Sequence, residues 1–304
     1  MRSLVFWSST FLFIACSTTE TSSSAPTTNE DAGPTDTNRR DSGGTDPDPD
    51  PTDAGTDADE PLTAQKEKEP NNGSTTTEFQ DMTIPGTMTG AIDPANDIDV
   101  FALKPAAGET WEWKLTPTGA DLAPHLTVFD NAPDDSNPTV LAKGSAGQTA
   151  TIQHFVLGAG EWLAAVRDAR NVPTAAGKGG PTYGYTLSAK KITLPATTIA
   201  VGDTKTGTLA SLSSIALFTL TLAQSTALDV VVRADRKSSP STLDSRLSMW
   251  SNVTKKSIGT NDNITGSSDS ELGGTIPAGK YTIILENEGT NATDLSYEVE
   301  VVAR

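Results

Sequence analysis

An internal repeat between residues 67 and 304 limits the fold of this chain more than any other feature. Blocks of one copy return in the second copy in the same order, at a spacing of 117 to 121 residues. The pairs are 90–92 with 207–209, 98–115 with 215–232, 125–130 with 246–251, and 157–166 with 276–285, and an aromatic block ends each copy, at 182–189 and 295–302. Each copy is long enough for an ordinary domain. The repeat therefore predicts two tandem domains, at 67–191 and 192–304.

The hydrophobic pattern inside these blocks has a period of two residues. In WEWKL, Trp111 and Trp113 share one face with Leu115, and in YEVEVV the same holds for Tyr297 and Val299. Such alternation indicates strands with one buried and one wet face. The segments between them, among them PANDID, GKGGP and NEGTN, are typical of turns. We therefore predict an all-β fold of two tandem antiparallel β-sandwiches, with the aromatic side chains in the cores.

The first fifteen residues have the layout of a secretory signal peptide. A basic head (Met1–Ser3) precedes an apolar run over 4–14, and the small Ala15 precedes Cys16, the only cysteine. An apolar stretch of eleven residues is too short to span a hydrocarbon core of about 30 Å. A single cysteine excludes an internal disulfide and a thiolate metal cluster. A role of Cys16 as a nucleophile is also disfavoured, because no histidine precedes His125 in the sequence to lower the pKa of the thiol. An inert thiol behind a simple signal peptide remains an alternative.

The run FIAC resembles a bacterial lipobox, although Phe13 stands where leucine is usual. The resemblance implies cleavage before Cys16, acylation of that residue and attachment to a membrane through the lipid. Ser17 follows the cysteine where aspartate would imply retention at the inner membrane, so the expected location is the outer membrane or cell surface. Several acyl chains, at about 0.8 kcal/mol per buried CH₂, would hold a folded domain firmly at a lipid surface.

Residues 16–66 are predicted to be a disordered tether. The segment 17–66 contains twelve acidic and three basic residues and no aromatic residue. It therefore has too little apolar surface to offset the entropy that ordering would cost. A coil of this length spans about 40 Å on average, and repulsion between its carboxylates extends it further. The alternative, calcium capture by the acidic run, is disfavoured because solvated like charges without a fixed turn make a poor site.

Several motifs of the first copy resemble the bacterial pre-peptidase C-terminal domain. They are EKEPNNGS at 67–74, GAIDPANDIDVFAL at 90–103, PHLTVFD, GAGEWLAAV and YGYTL. The resemblance implies a small jelly-roll-like sandwich that accompanies secreted proteases and is related to collagen-binding domains of clostridial collagenases. The second copy keeps SRLSMW, PAGKYTII and SYEVEVV but has lost EPNN, so it is a divergent relative. Without a recognisable peptidase in the sequence, the resemblance implies an accessory role in binding.

The same resemblance implies a calcium site in the first copy. Carried over by residue, the ligands would be Glu67, Glu69, Asn71 and Asn72 with Asp97, Asp99 and some contribution from Asp93. The alternation of Glu67, Glu69 and Asn71 places three oxygen ligands on one side, as calcium requires oxygen-rich coordination. Asn72 stands where an aspartate is expected. The alternative is that the glutamates end the acidic tether and the aspartates shape a turn. The second copy is expected to lack the site.

The sequence offers little for catalysis. Its two histidines, His125 and His154, fall in different blocks, and neither an HExxH pair nor a nucleophile triad is present. The excess of 27 acidic over 18 basic residues in 67–304 argues against nucleic acid as a partner. We therefore expect a non-enzymatic, surface-anchored binding or adhesion lipoprotein that recognises an extracellular protein or polysaccharide. A structural envelope subunit without its own ligand, and a hydrolase accessory or glycosidase, remain alternatives.

Overall fold

The computed structural model describes residues 61–71, 79–130, 140–171, 177–236, 238, 240–290 and 293–304. These residues form nineteen strands and no helix, which confirms the all-β prediction. No helix in these ranges could therefore cross a membrane. The predicted signal peptide, the lipidation site Cys16, most of the tether and the predicted ligand Asn72 lie outside the described residues.

The first sandwich contains ten strands. They are β1 (Thr63–Lys66), β2 (Gln80–Asp81), β3 (Gly86–Ala91), β4 (Asp99–Leu103), β5 (Thr110–Pro117), β6 (Pro124–Asp130), β7 (Val140–Lys143), β8 (Ala150–Phe155), β9 (Trp162–Asp168) and β10 (Gly184–Ile192). One sheet has the order β1-β3-β10-β5-β8 and the other β2-β4-β9-β6-β7. Strands β1 and β2 pair in parallel with β3 and β4, and the other pairings are antiparallel. Strand β1 consists of residues that the sequence analysis had assigned to the tether.

The second sandwich repeats this arrangement with nine strands. They are β11 (Ala196–Ile199), β12 (Thr204–Thr208), β13 (Ala216–Leu222), β14 (Thr226–Arg233), β15 (Ser245–Ser251), β16 (Lys256–Asn261), β17 (Glu271–Ile276), β18 (Gly279–Asn287) and β19 (Ser296–Ala303). The sheets have the orders β11-β13-β18-β15-β16 and β12-β19-β14-β17. Strands β11 to β19 therefore correspond one by one to β2 to β10. Only β1 has no counterpart among the described strands.

Alternating side chains fill the core between the sheets of each sandwich. In the first sandwich Trp113 and Trp162 are fully buried and stack across the two sheets, with 6.0 Å between ring centroids. The predicted core positions Trp111 and Tyr185 are buried as well, and Tyr183 packs partly buried against the core. In the second sandwich the strand register places Val230 and Tyr281 where the first has the two tryptophans. Burial of these apolar faces drives the pairing of the sheets.

A smaller apolar cluster joins the two sandwiches. Trp250, Leu217 and Ile284 on the outer face of the second sandwich pack against Phe155 and Leu157 of the first. The prediction that aromatic side chains are buried holds for Trp250, which is 1% exposed, and its ring packs in this junction cluster. Gly108 has a φ of +81°, and a Cβ at this position would lie 2.8 Å from the Trp250 ring. Glycine therefore permits the close approach of the two domains.

Candidate metal centre

Strand β1 leads directly to the first ligand candidate, Glu67. Its backbone N–H donates to the carbonyl oxygen of Thr89 and thereby continues the pairing of β1 with β3. The side chain turns inward: Oε1 accepts the Ala91 N–H at 2.7 Å, and Oε2 accepts the hydroxyl of Tyr185 at 2.7 Å. Both carboxylate oxygens are thus fixed by the sheet.

Gly90 makes room for this carboxylate. It lies opposite Tyr185 in the β3–β10 register. A Cβ at Gly90 would lie 1.9 Å from Glu67 Oε2 and 2.5 Å from the Tyr185 hydroxyl oxygen. A side chain at this position would therefore displace both groups. The role of glycine here is close approach rather than an unusual backbone conformation.

Glu67, Glu69 and Asp99 converge at one point of the first sandwich. Each offers a carboxylate oxygen, and these three atoms lie within 4.8 Å of one another. Asp99 is fully buried at the start of β4. Its Oδ2 lies 2.7 Å from the Tyr185 hydroxyl oxygen, the same group that contacts Glu67. Tyr185 has one proton to donate, so it satisfies only one of its two acid partners at a time. No ion pair of the described residues includes any of the three carboxylates.

Asn71 completes the cluster from a fully buried position. Its carbonyl oxygen accepts the Val100 N–H, which ties it to β4, and its own N–H donates to Glu69 Oε2 at 3.2 Å. One terminal atom of its side-chain amide lies 3.1 Å from Glu69 Oε2 and 3.0 Å from Asp99 Oδ1. As nitrogen this atom would donate to both carboxylates. As oxygen it would complete an all-oxygen set of the kind that binds calcium.

The electrostatics of the cluster agree with a site for a cation. Burial raises the pKa of Asp99 to about 8, and the neighbouring charges of Glu67, Asp97 and Glu69 act in the same direction, whereas the hydrogen bond from Tyr185 opposes it. Burial and the charge of Asp97 also raise the pKa of Glu69. A bound divalent cation would stabilise the ionised carboxylates that these surroundings disfavour.

The remaining predicted ligands lie nearby but have other partners. Asp97 is buried, and its oxygens accept the backbone N–H groups of Ile98 and Asp93 at 3.0 and 3.2 Å. Burial raises the pKa of Asp97 despite these hydrogen bonds. Asp93 contributes its backbone rather than its side chain to this turn. Glu67, Glu69, Asn71 and Asp99 are thus brought together, and Asp97 supports the loop beside them.

The second sandwich keeps the frame of this site without its acids. Gly207 lies opposite Tyr297 just as Gly90 lies opposite Tyr185, and a Cβ at Gly207 would lie 2.4 Å from the Tyr297 hydroxyl oxygen. Ala216 occupies the place of Asp99 in the strand register. Burial raises the pKa of Tyr297. The Gly–Tyr pair is therefore a feature of the fold, and the carboxylates are an addition in the first copy.

Tyr185 is the residue of the site that the sequence analysis missed. It was assigned to the core because of its place in an alternating strand, and its ring is indeed buried. Its hydroxyl group, however, contacts two of the acids. A signal was present in the repeat itself, because Gly90 and Tyr185 recur as Gly207 and Tyr297.

The two histidines serve packing. His125 is buried, its Nδ1 accepts from Arg167 Nε at 3.0 Å, and its Nε2 lies 3.3 Å from the Thr127 hydroxyl. Burial, together with the neighbouring charges of Arg167 and Lys143, lowers the pKa of His125 to about 4. His154 is fully buried between Trp113 and Trp162, and its Nδ1 lies 2.5 Å from Glu286 Oε1 of the second sandwich.

Solved structures of several β-domain proteins are similar to this chain. The pre-peptidase C-terminal domain of a collagenase from Bacillus anthracis, the kind of domain that the first copy resembles, matches at 16% identity with a TM-score of 0.30, covering 35% of this chain and 94% of that domain. The tandem CBM51 modules of a family 98 glycoside hydrolase from Streptococcus pneumoniae match at 9% identity and a TM-score of 0.23, covering 71% and 83%.

A third match is the M60 catalytic domain with two CBM51 domains of Clostridium perfringens ZmpB, at 8% identity and a TM-score of 0.22. It covers 71% of this chain and 34% of that one. No family model and no curated protein matches the chain. At these identities and scores the likenesses carry no conclusion about ligand or activity.

Proposed function

We propose that this protein is a non-enzymatic binding or adhesion lipoprotein whose first sandwich is stabilised by calcium. In this proposal acylated Cys16 anchors the chain to the outer membrane or cell surface. The acidic segment then holds the two sandwiches away from the lipid, where they recognise an extracellular protein or polysaccharide. The observation that carries the proposal is the convergence of the carboxylates of Glu67, Glu69 and Asp99, two of which contact the Asn71 side chain, with no basic partner in the described ion pairs.

The donor set fits calcium better than a transition metal. Glu67, Glu69 and Asp99 offer carboxylate oxygens and Asn71 an amide oxygen, and hard cations prefer such ligands. These four residues would hold the ion. A bound calcium ion would supply positive charge that offsets the repulsion among the acids and ties the segment after β1 to β3, β4 and β10. Its contribution would be stability and rigidity of the first sandwich.

The surroundings of the histidines support a role without catalysis. His154 is fully buried behind Glu286, so its ring cannot contact a substrate in this fold. His125 has hydrogen-bond partners at both ring nitrogens, and its lowered pKa keeps it neutral near pH 7. A general acid or base must reach the reacting group and exchange its proton there. Neither histidine meets that condition.

A thermal melt of the purified chain in calcium and in chelator tests the metal. We expect calcium to raise the Tm, because a ligand that binds only the folded state stabilises it by mass action. Glu69→Ala should abolish the shift, since Glu69 is the exposed member of the cluster and its loss leaves the core intact. Glu298→Ala on β19 of the second sandwich is the control and should keep the full shift. An unchanged Tm at millimolar calcium in the wild-type chain would exclude the site.

Labelling of cells with radioactive palmitate tests the anchor independently. The wild-type chain should incorporate the label and fractionate with membranes. Cys16→Ala should incorporate none, because the sequence has no other cysteine. Equal incorporation into both chains, or none into either, would rule out a lipid on Cys16.

A further inference from the structure

A cleft at the junction of the sandwiches is a cavity that the metal site does not explain. It has a volume of about 1010 Å³ and is lined by both domains. The first sandwich contributes β7 and the start of β8. The second contributes the β12–β13 loop, Arg246 on β15, the end of β18, and residues 289–290 and 293–295. Such a volume is within the range of ligand pockets in proteins.

Two oppositely charged side chains lie next to each other in this cleft. Arg246 and Glu286 are cross-strand partners on β15 and β18, and both are at least nine-tenths buried, with 9% and 5% exposure. Glu286 Oε1 is fixed by His154, whose ring packs against Trp113 and Trp162. The carboxylate is therefore held by the core of the neighbouring sandwich. This preorganisation favours binding because less order has to be imposed when a ligand arrives.

The Arg246 guanidinium is incompletely satisfied. Its Nη1 donates to Glu288 Oε1 at 2.5 Å, whereas its buried Nε–H has no partner among the described residues. Buried donors without acceptors are rare in folded proteins. The corresponding pair of the first sandwich, His125 and Arg167, forms a direct hydrogen bond. The unsatisfied Nε–H of Arg246 thus has no equivalent at the corresponding position of the first sandwich.

The wall opposite this pair is an edge strand with backbone groups that face away from its own sheet. Strand β7 is the last strand of its sheet. The Leu141 carbonyl oxygen points away from β6, because it accepts the Ser213 hydroxyl of the second sandwich at 2.7 Å. In an antiparallel ladder, alternate residues share an orientation, so the N–H and C=O groups of Leu141 and Lys143 face away from β6. Such an edge can pair with an added strand.

We propose that this cleft binds a peptide segment in extended conformation, which adds to the edge of β7 and places an aliphatic side chain beside Leu141 and Leu212. Leu141 is 41% exposed and Leu212 is partly buried, and both line the cleft. The neighbouring cation and anion, Arg246 and Glu286, offer a donor and an acceptor, which match the C=O and N–H of a peptide bond.

The lining favours a peptide over a sugar. It contains the hydroxyl groups of Thr149, Thr151, Thr208 and Ser213 but no aromatic side chain among the described residues. A ring of a polysaccharide would therefore find no flat apolar surface to stack on, whereas aliphatic side chains would find Leu141 and Leu212. The inference rests on the proposed function, because it names the ligand class and the site for a binding protein.

Selection from a phage-displayed library of linear heptapeptides with the full chain tests the proposal, beside a glycan array probed with the same protein. We expect enrichment of peptides that share an aliphatic residue. Affinity for the best synthetic peptide, measured by calorimetry, should fall at least about tenfold in Leu141→Glu and in Arg246→Gln. Ile258→Glu is the matched control, since Ile258 lies on β16, the corresponding edge of the second sandwich, with 42% exposure. It should bind as the wild type does.

Peptides that bind Leu141→Glu as tightly as the wild type would overturn the assignment to this cleft. Glycan binding that Leu141→Glu abolishes would overturn the peptide class, and absence of any enriched peptide would do the same. Because Leu141 is a surface residue, its substitution tests the cleft even where Arg246→Gln fails to fold. The calcium melt and the palmitate labelling test the proposed function independently of the cleft. A failure of the peptide proposal can therefore be distinguished from a failure of the proposed function.

Discussion

The two sandwiches share one strand order but differ in what their strands carry. Trp113 and Trp162 in the first core correspond to Val230 and Tyr281 in the second. The pair Gly90 and Tyr185 returns as Gly207 and Tyr297, but Asp99 becomes Ala216 and β1 has no counterpart. The comparison shows that the strand pairing and the close Gly–Tyr contact are common to both sandwiches and therefore belong to the fold. The acids around Tyr185 are a local addition that the fold does not require.

The junction makes a second difference. The outer face of the second sandwich carries Trp250 and Glu286, which pack on the first sandwich. At the positions of Arg246 and Glu286 the first sandwich has His125 and Arg167, a pair that is satisfied within its own sheet. The same face of the sandwich thus contacts the neighbouring domain in the second copy. In the first copy the residues at these positions, His125 and Arg167, bond to each other instead.

The largest expected effect comes from making the first core resemble the second. Trp113→Val places in the first sandwich the residue that the second has at Val230. It should destabilise the chain by about 3–5 kcal/mol, because the neighbours that surround Trp113 cannot close the cavity. Urea denaturation, with hydrogen exchange to assign the loss to β5, measures it. Val230→Ala is the control and should cost clearly less; equal losses would contradict the difference between the cores.

A pH series tests how much His125, whose counterpart in the second sandwich is Arg246, contributes to the free energy of unfolding. The pKa of His125 is lowered from its ordinary value of 6.5 to about 4, so the neutral ring is favoured in the folded state. Its contribution to stability is present above pH 6.5 and is lost as pH falls through 4. The difference in unfolding free energy between wild type and His125→Gln should shrink by about 2–3 kcal/mol over this window. Denaturation at several pH values checks this, and a constant difference would contradict it.

Removal of one hydroxyl group from each sandwich tests the acidic cluster. Tyr185→Phe deprives Glu67 and Asp99 of their shared donor and should cost about 1–3 kcal/mol in chelator. Tyr297→Phe should cost less, because no carboxylate stands at the place of Asp99 there. Thermal melts of both variants give the comparison. Equal losses of stability in the two variants would show that the hydrogen bonds of Tyr185 to the acids do not contribute to stability.

The smallest expected effect concerns a half-buried acid with an exposed basic partner at one position of each sandwich. Asp229 pairs with Arg304 at 2.5 Å, whereas its counterpart Glu112 lies 3.8 Å from Lys190. Arg304→Ala and Lys190→Ala should each lower the Tm only slightly, with the larger loss for the closer arginine pair. Salt should weaken both effects. Melts in low and high salt measure them, and a loss as large as that of Tyr185→Phe for either variant would contradict a surface role.

Local patterns predicted much of this molecule. The period of two in blocks such as WEWKL identified the strands, because successive side chains of a strand point to opposite faces. The repeat predicted two sandwiches, and the residues predicted from EKEPNN and the later aspartates include Glu67, Glu69 and Asp99, whose carboxylates lie together. Cys16 and Asn72 lie outside the described residues, so the lipid and the full ligand set remain predictions.

What the sequence could not decide is which surface covers each apolar or polar face. Alternation marked Trp250 as buried, but only the packing of two domains placed it at their junction. Tyr185 reaches Glu67 across 118 residues of chain, and His154 reaches Glu286 across 132. Such contacts depend on sheet order and on how two sandwiches meet. Side-chain periodicity determines the direction in which a residue points, whereas long-range packing determines what that residue contacts.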